Sequence, residues 1–339
     1  MRAIGYQKSL PISEINSLSD IDQPRPQAAG TDLLVEIRAV SVNPVDTKVR
    51  MRAEPEDGAY KVLGWDATGV VVGVGKDTSR FKVGDEVFYA GDVTRAGTNS
   101  EFHLIDERIV GHKPKSLSWA QAAALPLTAI TAWEALFERL KVSDPTPTAA
   151  NTLLIIGGAG GVGSIAIQLA RKLTNLTVIA TASRPETRQW ATDLGAHYVI
   201  DHSNPLAGEI EALGITAPDF VFSTTNTGDH LSEIAKLIAP QGRFCLIDDP
   251  ADLNIMPFKL KSISTHWEMM FTRSMFQTSD MDEQGKLLNQ VSRLVDEGTL
   301  KTTLGEHFGT INAANLKKAH AHLETGKARG KVVLEGFGD

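Results

Sequence analysis

A glycine-rich loop that follows directly on an apolar run constrains the fold of this chain more than any other feature. Residues 152–156 read Thr-Leu-Leu-Ile-Ile, which predicts a buried strand, and residues 157–163 read Gly-Gly-Ala-Gly-Gly-Val-Gly. Helix-compatible spacing continues from Ser164 to Lys172, and a second β-branched run follows at Thr177–Ala182. A strand, a tight turn, a helix and a strand at this spacing predict a βαβ unit within a parallel sheet.

Within the loop, Gly158, Gly160 and Gly163 satisfy the pattern G-x-G-x-x-G. Glycine is needed where the backbone closely approaches a pyrophosphate, and the following helix directs its N-terminal N–H groups and positive dipole end at those oxygens. An ordinary glycine-rich turn is the alternative, but the flanking elements favour a dinucleotide site. The loop residues expected to bind the cofactor are Gly158, Gly160, Gly161, Val162 and Gly163.

The residues at the end of the second strand indicate which dinucleotide the site binds. A site for NAD usually has Asp or Glu about 20 residues beyond the glycines, where it binds the adenosine ribose. Here the segment reads Ser183-Arg184-Pro185, without a carboxylate. Because a guanidinium suits the 2′-phosphate that a carboxylate would repel, we expect NADPH. A solvated helix-start residue is the alternative for Arg184. The expected cofactor-binding residues further include Ser183, His202, Thr224 and Lys331.

Length and charge exclude several classes of function. A chain of 339 residues suggests about two domains. Its formal charge of −7, from 34 basic and 41 acidic residues, argues against nucleic acid as the main partner. Apolar stretches fall short of a membrane span, and the N-terminus lacks the pattern of a signal peptide. Cys245 is the single cysteine, which is typical of a reducing compartment, so we expect a cytoplasmic protein with a small-molecule substrate.

The pattern of elements changes near residue 125. Before it, short β-branched runs such as Leu33–Val42 and Glu86–Tyr89 alternate with glycine-containing turns, which predicts a β-rich, barrel-like domain. After it, strand-like runs such as Phe220–Phe222 alternate with helical segments such as Pro185–Leu194. This alternation predicts a doubly wound parallel sheet, and the whole chain an α/β fold of two domains.

A series of motifs spans nearly the whole chain: Ser41-Val42-Asn43-Pro44-Val45-Asp46, Val83-Gly84-Asp85-Glu86-Val87, Ala124-Leu125-Pro126-Leu127-Thr128-Ala129, the glycine loop, Leu194-Gly195-Ala196, and Ala328-Arg329-Gly330-Lys331-Val332-Val333. In their residues and their order, these motifs resemble the medium-chain dehydrogenase/reductase superfamily, and within it the zinc-free quinone oxidoreductase (zeta-crystallin-like) branch. The resemblance implies a GroES-like substrate domain at 1–125 and 305–339, a Rossmann NADP-binding domain at 126–304, an active cleft where they meet, and a homodimer.

A narrower resemblance, to proteins labelled zinc-type alcohol dehydrogenase-like, conflicts with the residues. Zinc-containing relatives use a Gly-His-Glu motif and Cys ligands, whereas this chain has Gly64-Trp65-Asp66 at that position. One cysteine excludes a four-cysteine structural site by counting, and zinc needs at least three protein ligands of the Cys, His or carboxylate type. We therefore expect no bound metal and, without a Lewis acid, no ordinary alcohol oxidation.

The remaining chemistry is hydride transfer from NADPH to a quinone or an α,β-unsaturated carbonyl, in which the protein orients the acceptor. Family position makes Asn43 the first candidate for orienting substrate or nicotinamide ribose. Asp46 and Thr128 are further catalytic candidates, with a helix cap and a helix-start hydroxyl as their alternatives. Tyr60 and Trp65 are expected to line the substrate pocket. A zinc alcohol dehydrogenase and a non-catalytic NADPH-binding protein remain the alternative functions.

Overall fold

The computed structural model describes residues 1–56, 58–148 and 150–338. The chain forms two compact units. The first unit comprises Met1–Ile130 and Phe271–Asp339, and the second comprises Thr131–Met270. Within the described residues, no helix has both the length and the apolar character needed to cross a membrane.

The strands have two to eight residues, apart from the third, which has eleven. In chain order they are β1 Arg2–Tyr6, β2 Ser19–Asp22, β3 Asp32–Val42, β4 Lys61–Val62, β5 Ala67–Val74, β6 Glu86–Tyr89, β7 Phe102–Asp106, β8 Gly111–His112, β9 Thr152–Ile156, β10 Thr177–Thr181, β11 Tyr198–Ile200, β12 Phe220–Ser223, β13 Arg243–Leu246, β14 Ser264–Trp267, β15 Leu304–His307 and β16 Lys331–Glu335.

The α-helices are α1 Pro44–Arg52, α2 Trp119–Ala123, α3 Pro126–Trp133, α4 Gly161–Leu173, α5 Pro185–Asp193, α6 Leu206–Ala212, α7 Thr227–Leu237, α8 Thr272–Met275, α9 Glu283–Asp296 and α10 Ala313–Glu324. Short 3₁₀ helices occupy Glu107–Ile109 and Met256–Lys261, and a π-helical segment continues α3 at Glu134–Arg139.

The first unit is built on a sheet around β3 that is antiparallel except for the parallel pair of β15 with β16. The strand order is β15-β16-β3-β5-β6-β8, with β7 also pairing β3, and β2-β1-β4 form a separate small sheet. Pairing of β16 with β3 opposes Val332 to Val42, although the two residues are separated by most of the chain. The start of the last strand is thereby fixed beside the end of β3.

The second unit is a six-stranded parallel sheet in the order β11-β10-β9-β12-β13-β14. Its first strand along the chain, β9, is buried at every position, because helices cover the sheet and leave no polar face. The strand order reverses between β9 and β12, which is the topological switch point of a doubly wound sheet. The α/β fold class, with a parallel Rossmann-type sheet, is confirmed.

The division of the chain differs from the one expected at 125 and 304. Residues 271–304 belong to the first unit, because α9 packs on its β8 region. A Cβ atom at Gly285 of α9 would lie 2.5 Å from the Arg108 carbonyl oxygen, so the contact requires glycine. The His112 N–H also donates to Asn289 Oδ1 at 2.9 Å. The amphipathic pattern of α9 predicted a helix but not the surface against which it packs.

Candidate active site

The glycine loop leaves β9 in a turn that is fixed by Thr181 at the end of β10. The Gly157 N–H donates to Thr181 Oγ1 at 3.0 Å, and the Gly158 N–H donates to the Thr181 carbonyl oxygen at 3.1 Å. Gly157 has a φ of +81°, a conformation that favours glycine. The turn ends at Gly160, and α4 begins at Gly161 with its free N–H groups at the carboxyl edge of the sheet.

The glycines of the loop serve different purposes. A Cβ atom at Gly163 would lie 2.3 Å from the Gly157 carbonyl oxygen, and one at Gly158 would lie 2.7 Å from Ala180 Cβ. Neighbouring atoms of the same unit therefore leave no room for a side chain at either position. A Cβ atom at Gly160 would meet only Gly157 O among the described residues, at 3.4 Å. Gly160 thus leaves open space beside the helix N-terminus, as a bound anion requires.

The other residues predicted to bind the cofactor in this unit lie at the same edge of the sheet. Ser183 and Arg184 follow β10, His202 follows β11, and Thr224 follows β12. Thr224 Oγ1 donates to the Ile156 carbonyl oxygen at 2.8 Å, directly before the loop. Arg184 Nε lies 3.3 Å from Glu186 Oε1, and its side chain is 39% exposed. The fold therefore brings these side chains to one edge, where parallel-sheet proteins bind dinucleotides.

His202 has a second imidazole beside it. Its ring centroid is 6.3 Å from that of His230 on α7, in an edge-on arrangement. Burial and the neighbouring His202 lower the pKa of His230. His202 alone was predicted, because no spacing in the sequence relates it to His230 on α7.

The first unit contains a buried polar cluster of Asn43, Asp46, Asp66 and Lys331. Lys331 Nζ donates to Asp66 Oδ2 at 2.9 Å and to Asn43 Oδ1 at 2.6 Å. Asn43 Nδ2 donates to the same Asp66 oxygen at 2.8 Å. The other Asp66 oxygen, Oδ1, accepts from the Leu127 N–H at 2.7 Å. Charge and hydrogen bonding together compensate for the burial of this ion pair.

Local structure explains how these side chains converge. Asn43 follows β3 and caps α1, and its N–H donates to Asp46 Oδ2 at 2.7 Å, which closes a capping box. Asp66 immediately precedes β5, the neighbour of β3, and Lys331 starts β16 on the other side of β3. Three strands that adjoin in the sheet thus deliver residues that are far apart in sequence.

Asp46 is the least compensated member of the buried polar cluster. Its Oδ1 has no hydrogen-bond partner within the described parts of the chain. Burial raises the pKa of the Asp46 carboxyl to about 7, with the Asn43 N–H and Lys331 opposing this shift and Asp66 adding to it. One ammonium faces two carboxyl groups, so the cluster is neutral when one carboxyl holds a proton. Asp46 accepts fewer hydrogen bonds than Asp66 and is the better host for that proton.

Two predicted site residues, Lys331 and Trp65, have surroundings that differ from those expected. Lys331 was predicted to bind the cofactor, but its side chain is 3% exposed and its three N–H donors are directed at Val42 O, Asn43 Oδ1 and Asp66 Oδ2. Trp65, predicted to line a substrate pocket, is 1% exposed and packs edge-on against Phe271. Local sequence could not reveal these partners, because they come from distant segments.

The predicted site residues Thr128 and Tyr60 differ in their exposure to solvent. Thr128 is buried, and its hydroxyl donates to the Leu125 carbonyl oxygen at 3.1 Å, as a helix-start hydroxyl does. Tyr60 is 41% exposed and is the more accessible of the two predicted pocket aromatics. Asp66 was not among the predicted site residues. Its position in Gly64-Trp65-Asp66, where zinc-containing relatives have a ligand motif, could have indicated that it belongs to the site.

The donor set of the buried polar cluster does not fit zinc. A catalytic zinc needs three protein ligands with available lone pairs. Both Asp66 oxygens already accept hydrogen bonds, one of them from the Lys331 ammonium, and the indole N–H of Trp65 donates to the Asp92 carbonyl oxygen at 3.2 Å. Across residues 1–56, 58–148 and 150–338, no group of three or more His, Cys, Asp or Glu side chains is arranged to hold a metal.

Two family descriptions match the chain. Residues 29–131 match the alcohol dehydrogenase GroES-like domain, and residues 194–334 match the zinc-binding dehydrogenase family. The first match lies around the sheet that carries Asn43 and Asp66. The second begins after the glycine loop and ends within β16.

Named relatives match along most of the chain. A zinc-type alcohol dehydrogenase-like protein of Staphylococcus aureus is 38% identical over 338 residues, covering 98% of this chain and 99% of the relative. The human mitochondrial NAD(P)H oxidoreductase RTN4IP1 is 30% identical over 333 residues, covering 89% of this chain and 81% of the relative.

Solved structures share the fold along the whole chain. A Rhizobium etli CFN 42 protein, provisionally named a zinc-dependent alcohol dehydrogenase, is 65% identical with a TM-score of 0.98, covering 100% of this chain and 99% of the other. The quinone oxidoreductase of Coxiella burnetii is 27% identical with a TM-score of 0.80, covering 99% of each chain. This chain therefore belongs to the medium-chain dehydrogenase/reductase superfamily of oxidoreductases, with a GroES-like and a Rossmann-type domain.

Proposed function

We propose that this protein is an NADPH-dependent oxidoreductase that reduces a quinone or an α,β-unsaturated carbonyl compound without zinc. The observation that carries the proposal is the glycine loop at the topological switch point, open at Gly160 and followed across the sheet edge by Arg184. In this position a dinucleotide pyrophosphate would meet the N-terminus of α4. The bound nicotinamide cofactor supplies a hydride, and the protein supplies binding and orientation.

The preference for NADPH rests on Ser183 and Arg184. The segment that follows β10 has a hydroxyl and a guanidinium where an NAD site usually has a carboxylate. The nearby Arg188 guanidinium donates to the carbonyl oxygens of Ala182 and Val199 and so braces the same strand ends. In this proposal Arg184 exchanges Glu186 for the 2′-phosphate, which offers stronger bidentate hydrogen bonds. The name of the human relative, NAD(P)H oxidoreductase, agrees with a nicotinamide cofactor.

The choice of acceptor follows from the poor fit to zinc. Alcohol oxidation in this superfamily needs a Lewis acid, whereas a quinone or enone delocalises the charge that hydride addition creates. The named quinone oxidoreductase among the similar structures supports this substrate class. We propose that Tyr60 contacts the substrate and that Asn43, Asp46 and Thr128 act as positioning residues, since their polar atoms hold α1, α3 and the neighbouring strands.

We also propose a homodimer, as the family resemblance predicts. In the second unit, β14 is an edge strand of the parallel sheet, and within the described residues it pairs with β13 alone. Trp267 on β14 is 53% exposed, and the nearby Met269 is 50% exposed. An exposed edge with large apolar side chains is suited to pairing with a second chain. Light scattering on the purified protein measures this directly, and a monomeric mass would exclude the dimer.

An NADPH-oxidation screen tests the function. Purified protein is mixed with NADPH and with 1,4-quinones, 2-alkenals and cyclic enones, with simple alcohols and NADP⁺ as the opposing panel. We expect turnover with at least one conjugated acceptor, no stoichiometric zinc by elemental analysis, and no change on adding a chelator. One zinc per chain with alcohol oxidation lost on its removal would establish the alcohol dehydrogenase instead. Tight NADPH binding without any turnover would indicate a non-catalytic binding protein.

A further inference from the structure

We propose that Asp248 is a positioning residue that holds the turn after β12 against the glycine loop, and so fixes the shape of the dinucleotide site. This inference rests on the proposed function, because it concerns the same cofactor site. Asp248 lies two residues beyond β13 and was not a candidate from the sequence. Its role would be exerted through Thr227 and the turn at 224–226, not through contact with the cofactor.

The carboxylate of Asp248 accepts hydrogen bonds from both the backbone N–H and the hydroxyl of Thr227, the first residue of α7. The Thr227 N–H donates to Asp248 Oδ2 at 2.9 Å, and the Thr227 hydroxyl donates to Oδ1. Ser223 Oγ lies 2.7 Å from Thr227 Oγ1. Because the Thr227 proton is directed at the carboxylate, Ser223 donates this bond, and a chain of hydrogen bonds runs from the end of β12 to Asp248.

This arrangement replaces the usual cap of a helix. The residue before α7, Asn226, has φ 52° and ψ 33° and makes no side-chain bond to the helix N-terminus. Asn tolerates this left-handed conformation better than most residues. The first N–H of α7 instead donates to Asp248, in the segment that follows β13, where a carboxylate also interacts favourably with the helix dipole. Asp248 thus ties the end of β13 to the start of α7 across the turn.

The turn held in this way touches the glycine loop. The Thr224 N–H donates to the Ile156 carbonyl oxygen at 3.1 Å, and Thr224 Oγ1 donates to the same oxygen. A Cβ atom at Gly157 would lie 2.4 Å from Thr224 Oγ1 and 3.0 Å from Thr225 Cγ2. Glycine is therefore required at 157 partly because this turn packs on it. A shift of the turn would alter the loop at the point where the strand order reverses.

The experiment compares Asp248→Ala and Asp248→Asn with a matched control at the opposite edge of the sheet. Asp219 precedes β12 and accepts the hydroxyls of Thr146, at 2.8 Å, and of Thr148, together with the backbone N–H of Thr152 at 3.2 Å. We expect Asp248→Ala to raise the Kd for NADPH and for NADH alike, by about 10-fold to 100-fold, the range for loss of charged hydrogen bonds. Asp248→Asn retains one acceptor oxygen and should restore most of the affinity.

Asp219→Ala should change neither Kd by more than about twofold, although it removes similar hydrogen bonds. With saturating NADPH, kcat of Asp248→Ala should stay within about threefold of the wild-type value, so that the effect appears in KM for the cofactor. Equal weakening for the two cofactors also distinguishes this residue from one that contacts the 2′-phosphate.

The outcomes separate this inference from the proposed function. If the wild-type protein binds neither NADPH nor NADH, the proposed function fails. If it binds them and Asp248→Ala binds equally well, or Asp219→Ala weakens binding as much, the positioning role is wrong. Should Asp248→Ala fail to fold by circular dichroism, Thr227→Val decides, because it removes the hydroxyl that donates to Asp248. Weakened binding in the folded variant supports the role, and wild-type affinity overturns it.

Discussion

The glycine loop of the second unit is made of seven consecutive residues, whereas the buried polar cluster of the first unit draws on three strands and a helix cap. The loop depends on the lack of side chains, because its backbone must turn tightly and must leave open space beside Gly160. The cluster works through side chains that are present and charged, of which Lys331 and Asp66 are buried and paired.

This difference teaches how each region should respond to substitution. Adding volume to the loop at Gly160 should obstruct a ligand while leaving the fold intact, since the Cβ atom meets no close contact. Removing one charge from the cluster should leave another charge buried without a partner, which destabilises the folded state. Binding is therefore the sensitive measurement for the loop, and stability is the sensitive measurement for the cluster.

The largest effect is expected from Gly160→Val. Its φ of −72° and ψ of 176° suit valine, so the variant should fold, but the branched side chain would fill the space proposed for the pyrophosphate. We expect no detectable NADPH binding by fluorescence titration and a normal circular dichroism spectrum. Gly163→Ala is the contrasting control, because its Cβ atom would clash with the Gly157 backbone and lower stability. Undiminished NADPH affinity in folded Gly160→Val would remove the loop from the cofactor site.

Lys331→Met tests the cluster. With the ammonium gone, Asp66 and Asp46 face each other without a cation, and the free energy of unfolding should fall by about 3–5 kcal/mol. Denaturant unfolding measures the loss. The double variant with Asp66→Leu should recover part of it, because no unpaired charge then remains at that site. A loss under about 1 kcal/mol would show that the ion pair contributes little.

Asp46→Asn tests the pH dependence of the same cluster. The Asp46 pKa is raised from 3.8 to about 7, so the folded protein holds this proton more tightly than the unfolded chain. That contribution to stability is complete below about pH 3.8 and is lost as the pH rises through about 7. The variant keeps an oxygen for the Asn43 N–H but does not titrate.

Relative to wild type, Asp46→Asn should therefore gain stability with rising pH, by up to about 4 kcal/mol across this range. Unfolding of both proteins at a series of pH values gives the difference, from which titrations common to both cancel. A difference that stays constant between about pH 4 and pH 8 would mean that Asp46 keeps an ordinary pKa.

Arg184→Asp has the smallest expected effect and separates the two cofactors. Replacing the proposed phosphate partner with a like charge should weaken NADPH by about 1.5–3 kcal/mol and leave NADH nearly unchanged. Glu186→Gln is the opposing control, since it removes the carboxylate that lies near Arg184 and should modestly favour NADPH. Equal changes for both cofactors would assign Arg184 to the helix start alone.

Much of the second unit was predictable because its signals are local. The strand run at 152–156, the glycine loop and the helix after it occupy adjacent residues, and Thr177–Ala182 lies within one residue of the observed strand. Strands Tyr198–Ile200 and Phe220–Ser223 have strong β-branched or aromatic character. By contrast, none of the four residues of β14 is buried, and its pairing with β13 comes from the sheet, not from its own pattern.

The sequence alone determined the α/β class, the superfamily and the position of the glycine loop, because strand hydrophobicity and glycine spacing act over a few neighbouring residues. Only the tertiary structure decided that Lys331 pairs with Asp66, that Trp65 is buried, and that Asp248 caps α7. Each depends on strands that pair across tens to hundreds of residues. The energy of such contacts comes from burial and charge pairing after the strands have assembled. A local sequence pattern therefore cannot predict these contacts.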